Sequence, residues 1–219
     1  MLVALLLACA PELVVPPVDP AAPTVEVTAP SAPATAPSAP PEDRVPAMPA
    51  GASLYALDLP LLTHTGAAAR LDVQRGHPVL LSMFYTTCPM ACPLLIADLQ
   101  GLEAALSPEA RAELRIVLVS LDPAHDDPAA LGGVVEKHNL DARWTLGAVP
   151  EDSVREVAAA LGVRYRPLPG GGFAHTAALT LIDADGRVVA RSEGEEGRAA
   201  LVAAIGDLAG RQPGVTGGR

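Results

Sequence analysis

Positive charge is scarce in this chain. Its 219 residues carry a formal net charge of -10 at pH 7, with a single lysine, Lys137, and no run of basic side chains. A phosphate backbone needs clustered Lys and Arg to displace its counterions, and base stacking needs aromatics between them. Aromatics make up only 3% of the residues. Nucleic acid is thereby excluded as a partner, and the acidity speaks for solubility and no more. No internal repeat is present. Cysteine is sparse too: Cys9, Cys88 and Cys92 are all there are. What the chain does have is apolar residues, 50% of the total, enough for one good core and hence one folded domain.

The apolar run that opens the chain, MLVALLLA, ends at Cys9. It falls well short of the ~20 residues that span a bilayer. Leu6, Leu7, Ala8 and Cys9 resemble a bacterial lipobox, in which the leader is cut before the cysteine and that cysteine takes the lipid. The basic residues that normally open a signal peptide are missing. A clipped ordinary signal or a membrane anchor is the alternative, and each places the mature domain outside the cytoplasm, on the periplasmic side of the cell envelope. From residue 10 to about 50 the chain is mostly Pro, Ala, Thr, Ser and Val, with no sustained helical or strand period. Such a segment is a disordered tether, with a polyproline II reach on the order of 120 Å. The folded domain is expected over residues 53–210, with a flexible tail at 211–219.

HPVLLSMFY, from His77 to Tyr85, is an apolar strand, and LRIVLVSL, from Leu114 to Leu121, is a second. Between them, Ala91 to Ser107 has helical spacing through Leu94, Leu95, Asp98, Leu99, Leu102 and Leu106, with the charge off that face. Strand, helix and strand with near-continuous apolar strands make a βαβ unit around a parallel pair. Asp127 and Pro128 then read as N-cap and first residue of a helix to about Asn139, weakened by Gly132 and Gly133. RWTLGA is a short strand, and PEDSVREVAAALGV is a helix stopped by Gly162. AALTLIDADGRVVARS is a hairpin turning at Ala184, Asp185 and Gly186, and a last helix runs from about Glu195 to Ala209. That order predicts an α/β fold, a thioredoxin-like sandwich with a central mixed sheet.

Cys88 falls where the first central strand gives way to the helix. Its sulfur there faces backbone N–H groups and the positive end of the helix dipole, which favour the thiolate. Cys92 lies one turn on, on the same face. A structural disulfide between them would close a very short loop and stabilise far less than a long-range bridge, which leaves chemistry as the reason for the pair. A disulfide needs sulfurs about 2.05 Å apart, whereas two thiolates on one metal ion, each at ~2.3 Å from it, sit nearer 4 Å from each other. Positions i and i+4 allow either. Soft monovalent copper is a fitting ion for two thiolates, and it calls for a third ligand.

Five histidines compete for that place. His64 in a THTGA hairpin, His77 before a strand, His125 in an Asp-rich loop and His138 near a helix end read as solvated surface residues. His175 stands apart, after a glycine run and before the strand that faces the cysteine motif in thioredoxin-like folds. Such folds usually place a cis-proline there, and this chain has Ala177. Asp122 and Asp126 either orient the site or only cap the next helix. Met90, inside the cysteine loop, is either a thioether for copper or an apolar surface for docking or packing.

YTTCPMACP, SLDPAHDDP, RWTLGA and AHTAALTLIDADG, in that order, resemble the Sco/SenC family of copper chaperones for cytochrome c oxidase. The likeness covers the whole domain after the tether, and Cys-x-x-x-Cys-Pro with a distant His-Thr is its specific mark. It implies that Cys88, Cys92 and His175 bind a copper ion, with Asp122, Pro123 and Asp126 in a loop beside them. Asp127, where Thr is common, and the short glycine-rich loop before His175 are departures. Three functions follow for comparison. The first is a metallochaperone that hands copper to the dinuclear centre of a respiratory oxidase, through the oxidase's copper-bearing subunit or another copper chaperone. The second is a thiol–disulfide reductase that keeps the oxidase's cysteines reduced, with Cys88 and Cys92 as the redox pair. A peroxiredoxin-type peroxidase is the third, but its Pro-x-x-x-Thr-x-x-Cys pattern would need Pro at Leu81 and Thr at Tyr85. His175 favours the first, because disulfide exchange needs no imidazole there.

Overall fold

The computed structural model describes residues 48–193 and 197–210. The lipobox-like leader, the tether up to residue 47 and the tail lie outside the described residues. None of the described helices is long and apolar enough to cross a membrane.

The centre is built from three strands that bury nearly every side chain: β3 (Val79–Phe84), β4 (Arg115–Ser120) and β5 (Trp144–Ala148). They run parallel, with Val79 opposite Arg115 and Ile116 opposite Trp144. Continuous burial along a strand means that helices cover both of its faces, which is the usual state of a parallel pair. Antiparallel strands extend the sheet on both sides. β1 (Pro60–Thr63) and β2 (Ala68–Arg70) form a hairpin on β5, and β8 (Ala178–Ile182) and β9 (Val188–Glu193) form another on β3. The resulting order is β2-β1-β5-β4-β3-β8-β9, a seven-stranded mixed sheet. A separate two-stranded ribbon pairs β6 (Tyr165–Pro167) with β7 (Phe173–His175).

The helices follow their caps. α1 (Ala91–Ala104) ends earlier than its leucines imply, and Ser107 opens a second helix, α2 (Pro108–Glu113), by accepting the Ala110 N–H at 3.2 Å. That Ser-Pro pair is a start signal, overridden in the sequence by the unbroken run of leucines. α3 (Pro128–His138) begins at Asp127, whose carboxylate accepts the Ala130 N–H at 2.8 Å, and ends at Asn139 in the left-handed region. Gly132 and Gly133 leave it intact. The helix expected over PEDSVREVAAALGV divides into a 3-10 turn at Glu151–Ser153 and α4 (Val154–Leu161), stopped by Gly162. α5 spans Arg198–Gly210. In the β8–β9 turn, Gly186 has a φ of 81°, and a Cβ there would lie 2.4 Å from the Tyr55 ring. Both facts require glycine.

Two expectations about α1 are corrected. Its buried face is Cys92, Leu95, Ile96, Leu99, Leu102 and Glu103, while Leu94 is 61% exposed. The face therefore carries an acid. Glu103 is buried because Trp144 Nε1 donates to it at 3.1 Å and the Arg143 guanidinium meets it at 2.5 Å, the pairing a buried carboxylate requires. This contact fixes the far end of the cysteine helix against the start of β5.

Candidate metal centre

Cys88 sits in the loop that joins β3 to α1, and Cys92 on the first turn of α1. Both are free thiols and both are buried. The Cys92 N–H donates to Cys88 Sγ at 3.3 Å, and the Tyr85 N–H donates to Cys92 Sγ at 3.4 Å. The loop thus folds back on the sulfurs, and each is met by a backbone donor.

The two thiols are unequal. Burial alone would raise the Cys88 pKa, but hydrogen bonds, led by those from the backbone of Cys92 and Met90, outweigh it, leaving Cys88 below an ordinary thiol. Burial pushes Cys92 up to about 12, and its neighbours Cys88 and Asp126 add to the rise. At neutral pH the pair holds one proton more firmly than a free dithiol, on Cys92.

His175 arrives from the other end of the chain. It closes β7, opposite Tyr165 of β6. Its Nδ1 lies 3.2 Å from the Thr176 carbonyl, which only accepts, so Nδ1 carries the proton and Nε2 presents a lone pair. That lone pair faces Cys92 Sγ at 3.9 Å. Burial lowers the His175 pKa, with the Thr176 carbonyl opposing, so the ring is neutral at pH 7. Thr176 is itself tied down, since its Oγ1 accepts the Arg164 N–H at 3.0 Å.

Sparse aromatics concentrate at this place. The Tyr85 ring meets Phe173 edge-on at 5.5 Å and His175 at 5.9 Å, and Phe173 meets Tyr165 at 5.9 Å. The Tyr85 hydroxyl donates to the Phe173 carbonyl at 3.1 Å. A Cβ at Gly172 would stand 3.1 Å from that hydroxyl, so the glycine before Phe173 lets the ribbon close on Tyr85. The glycine-rich loop is compatible with bringing the imidazole to the sulfurs.

Asp126 lies directly behind the cysteine loop and is 1% exposed. Its carboxylate accepts the Thr86 N–H at 3.2 Å, the Thr86 hydroxyl at 2.5 Å and the Ser120 hydroxyl at 2.5 Å. It holds the loop two residues before Cys88 rather than capping α3, which is the work of Asp127. Thr86 and Ser120 were not anticipated, because a hydroxyl in a strand end or loop carries no signal until its partner is placed. Asp122 instead takes the His125 ring at 2.8 Å on the exposed rim.

The other histidines are elsewhere. His125 is exposed and its pKa is raised by the Asp122 hydrogen bond. His77 lies against Glu113 at 3.3 Å, and at the end of α3 burial lowers the pKa of His138, with Lys137 adding to the effect. His64 departs from a solvated role. It is half-buried, and its Nδ1 accepts the Leu146 N–H at 3.2 Å, binding the first hairpin to β5. A shallow groove lined by Pro60, Pro123 and Pro150 contains none of the three candidate ligands.

Among the described residues, Cys88, Cys92 and His175 form a group able to hold a metal ion, with their donor atoms all within 4.8 Å of one another. Fold and site together define a thioredoxin-like domain that carries a dithiol faced by an imidazole. The SCO1/SenC family profile matches residues 49–210, and the chain belongs to that family. A Stutzerimonas stutzeri protein with copper binding in its name is 27% identical over 119 residues, which are 52% of this chain and 57% of that protein. The chain thus spans little more than half of that relative's length. Among solved structures, Arabidopsis thaliana ScoI with copper bound superposes with a TM-score of 0.61 at 15% identity, covering 75% of this chain and all of that one. A SCO1/SenC family lipoprotein from Bacillus anthracis superposes with a TM-score of 0.62 at 19% identity, covering 69% and 93%. At these identities the structures speak for the fold.

Proposed function

We propose that this protein binds copper through Cys88 Sγ, Cys92 Sγ and His175 Nε2. It delivers the ion to the dinuclear copper centre of a respiratory cytochrome c oxidase, by way of the oxidase's copper-bearing subunit or another copper chaperone. The observation that carries the reading is the meeting of two sulfurs and a neutral imidazole within 4.8 Å. Soft sulfur donors and an imidazole suit cuprous ion, which accepts three ligands readily. The copper-binding relatives and the family's known role support the cargo and the destination.

A second reading is supported by the inequality of the thiols. A lowered Cys88 beside a protonated Cys92 is the arrangement of a dithiol reductase, in which the thiolate attacks a disulfide sulfur and the second thiol resolves the mixed disulfide. His175→Ala separates the two. On the carrier reading the variant loses copper affinity by about tenfold or more, ~1.4 kcal/mol, and fails to mature the oxidase in cells, while disulfide exchange by Cys88 and Cys92 changes little. Normal copper retention and normal oxidase maturation by the variant would leave the reductase reading in its place. The imidazole also sets an acid limit. Only the neutral ring ligates, and burial holds its pKa below the usual 6.5, so its contribution persists through pH 6.5 and is lost only in more acidic solution.

For location, we propose that residues 10–50 tether the domain to the outer face of the membrane through a lipid on Cys9. The Leu-Leu-Ala-Cys stretch and the Bacillus lipoprotein's kinship support this. Cys9→Ser is expected to move the protein from the membrane to the soluble fraction on cell fractionation. A variant that stays with the membrane would point to another anchor.

A further inference from the structure

The two sulfurs of the proposed copper site are covered and the imidazole is half-buried, which raises the question of how an ion reaches them. Cys88 is 8% exposed and Cys92 3%, and His175 lies beside Tyr85. Among the described residues one thioether stands in the open, in the loop between the two cysteines: Met90 is 71% exposed, whereas Met83 is fully buried and Met48 packs partly against the core. The Met90 side chain neither packs nor caps. It occupies the N-cap of α1, where Ser, Thr, Asp or Asn would bond the first turn, and it makes no such bond. Its backbone is nonetheless held, because its carbonyl accepts the Leu94 N–H at 3.4 Å and, two residues on, the Cys92 N–H donates to the Cys88 sulfur at 3.3 Å. An exposed, flexible side chain with three rotatable bonds is therefore rooted in the short loop between the two sulfurs.

We propose that Met90 is the exchange ligand of this site. Its thioether takes a cuprous ion at the surface and yields it to Cys88, then to Cys92 and His175, and on release it is the last protein ligand to let go. The inference rests on the copper-carrier reading above. A thioether suits the task because it is soft, uncharged and has no proton to lose, so it binds weakly and quickly. No electron moves: one sulfur–copper bond breaks as others form, and the Cys92 proton passes to solvent as its sulfur ligates. A ligand used only in passage lowers the barrier equally in both directions and leaves the equilibrium constant unchanged.

The test uses the full, reduced protein under anaerobic conditions, with cuprous ion supplied by, and withdrawn into, a coloured chelator in a stopped-flow instrument. Met90→Leu keeps the apolar surface and removes only the sulfur. Uptake and release are both expected to slow by about tenfold, ~1.4 kcal/mol of barrier, with the affinity at equilibrium unchanged. Unaltered rates would overturn the inference and leave Met90 an apolar contact. Slower uptake with a matching loss of affinity would overturn it too, since Met90 would then be a resident ligand. Should the unsubstituted protein take up no copper, the carrier reading itself fails, and this inference with it.

Discussion

Converting Cys88 and Cys92 together to serine is expected to lower the affinity for cuprous ion by about a thousandfold or more, ~4 kcal/mol. Two soft thiolates are replaced by hydroxyls that stay protonated and hard, and His175 alone remains. At the proposed site the same pair is expected to set the pH dependence of copper binding by the unsubstituted protein. With Cys92 raised to about 12 by burial, its proton is present at neutral pH and must leave when copper binds. Fewer protons to displace means tighter binding, so affinity rises as pH rises, by about tenfold per pH unit for each proton released. Cys88, held below an ordinary thiol by the N–H groups around it, contributes less of this slope. Anaerobic competition titrations between pH 7 and 9 measure both effects. A double serine variant that binds like the original protein would remove the cysteines from the site.

Asp126→Ala is expected to destabilise the reduced protein by about 3 kcal/mol. The carboxylate serves the Thr86 N–H, the Thr86 hydroxyl and the Ser120 hydroxyl, and alanine leaves one buried and two part-buried donors without this acceptor. For a domain of this size the melting temperature falls by roughly 6–12 °C. Asp126→Asn keeps one acceptor oxygen and should fall between the two. The loop that Asp126 holds carries Cys88, so copper affinity should drop in Asp126→Ala even at temperatures where the variant is folded. Thermal unfolding followed by circular dichroism, with a copper titration at low temperature, checks the pair of effects. An unchanged melting temperature would show that the network contributes nothing net.

The local part of this protein was legible in its amino acids. Val79–Phe84 and Arg115–Ser120 are strands because β-branched and apolar side chains run on without the polar alternation of a half-exposed strand. Asp127 and Pro128 start α3, Gly162 ends α4 and Gly186 turns the last hairpin, each through a backbone preference of the residue itself. Cys88 and Cys92 are near neighbours in the chain, so a strand-to-helix junction already brings their sulfurs to one face.

What tertiary structure decided lies between residues far apart in the chain. His175 reaches Cys92 across 83 positions and Asp126 reaches Thr86 across 40; the family resemblance names both residues, but no local period records either distance. Leu94 looked like core and Glu103 like surface until α1 was laid against Trp144 and Arg143. The inequality of the two thiols is of the same kind. Both cysteines have the same intrinsic chemistry, and what separates them is burial and which N–H groups point at each sulfur, quantities that exist only once the chain has packed. Sequence determined that two sulfurs would share a helix start, because that depends on neighbours four residues apart. Packing decided that an imidazole would face them and a buried carboxylate would steady them, because those contacts depend on how the sheet, the ribbon and the acid loop close around one point.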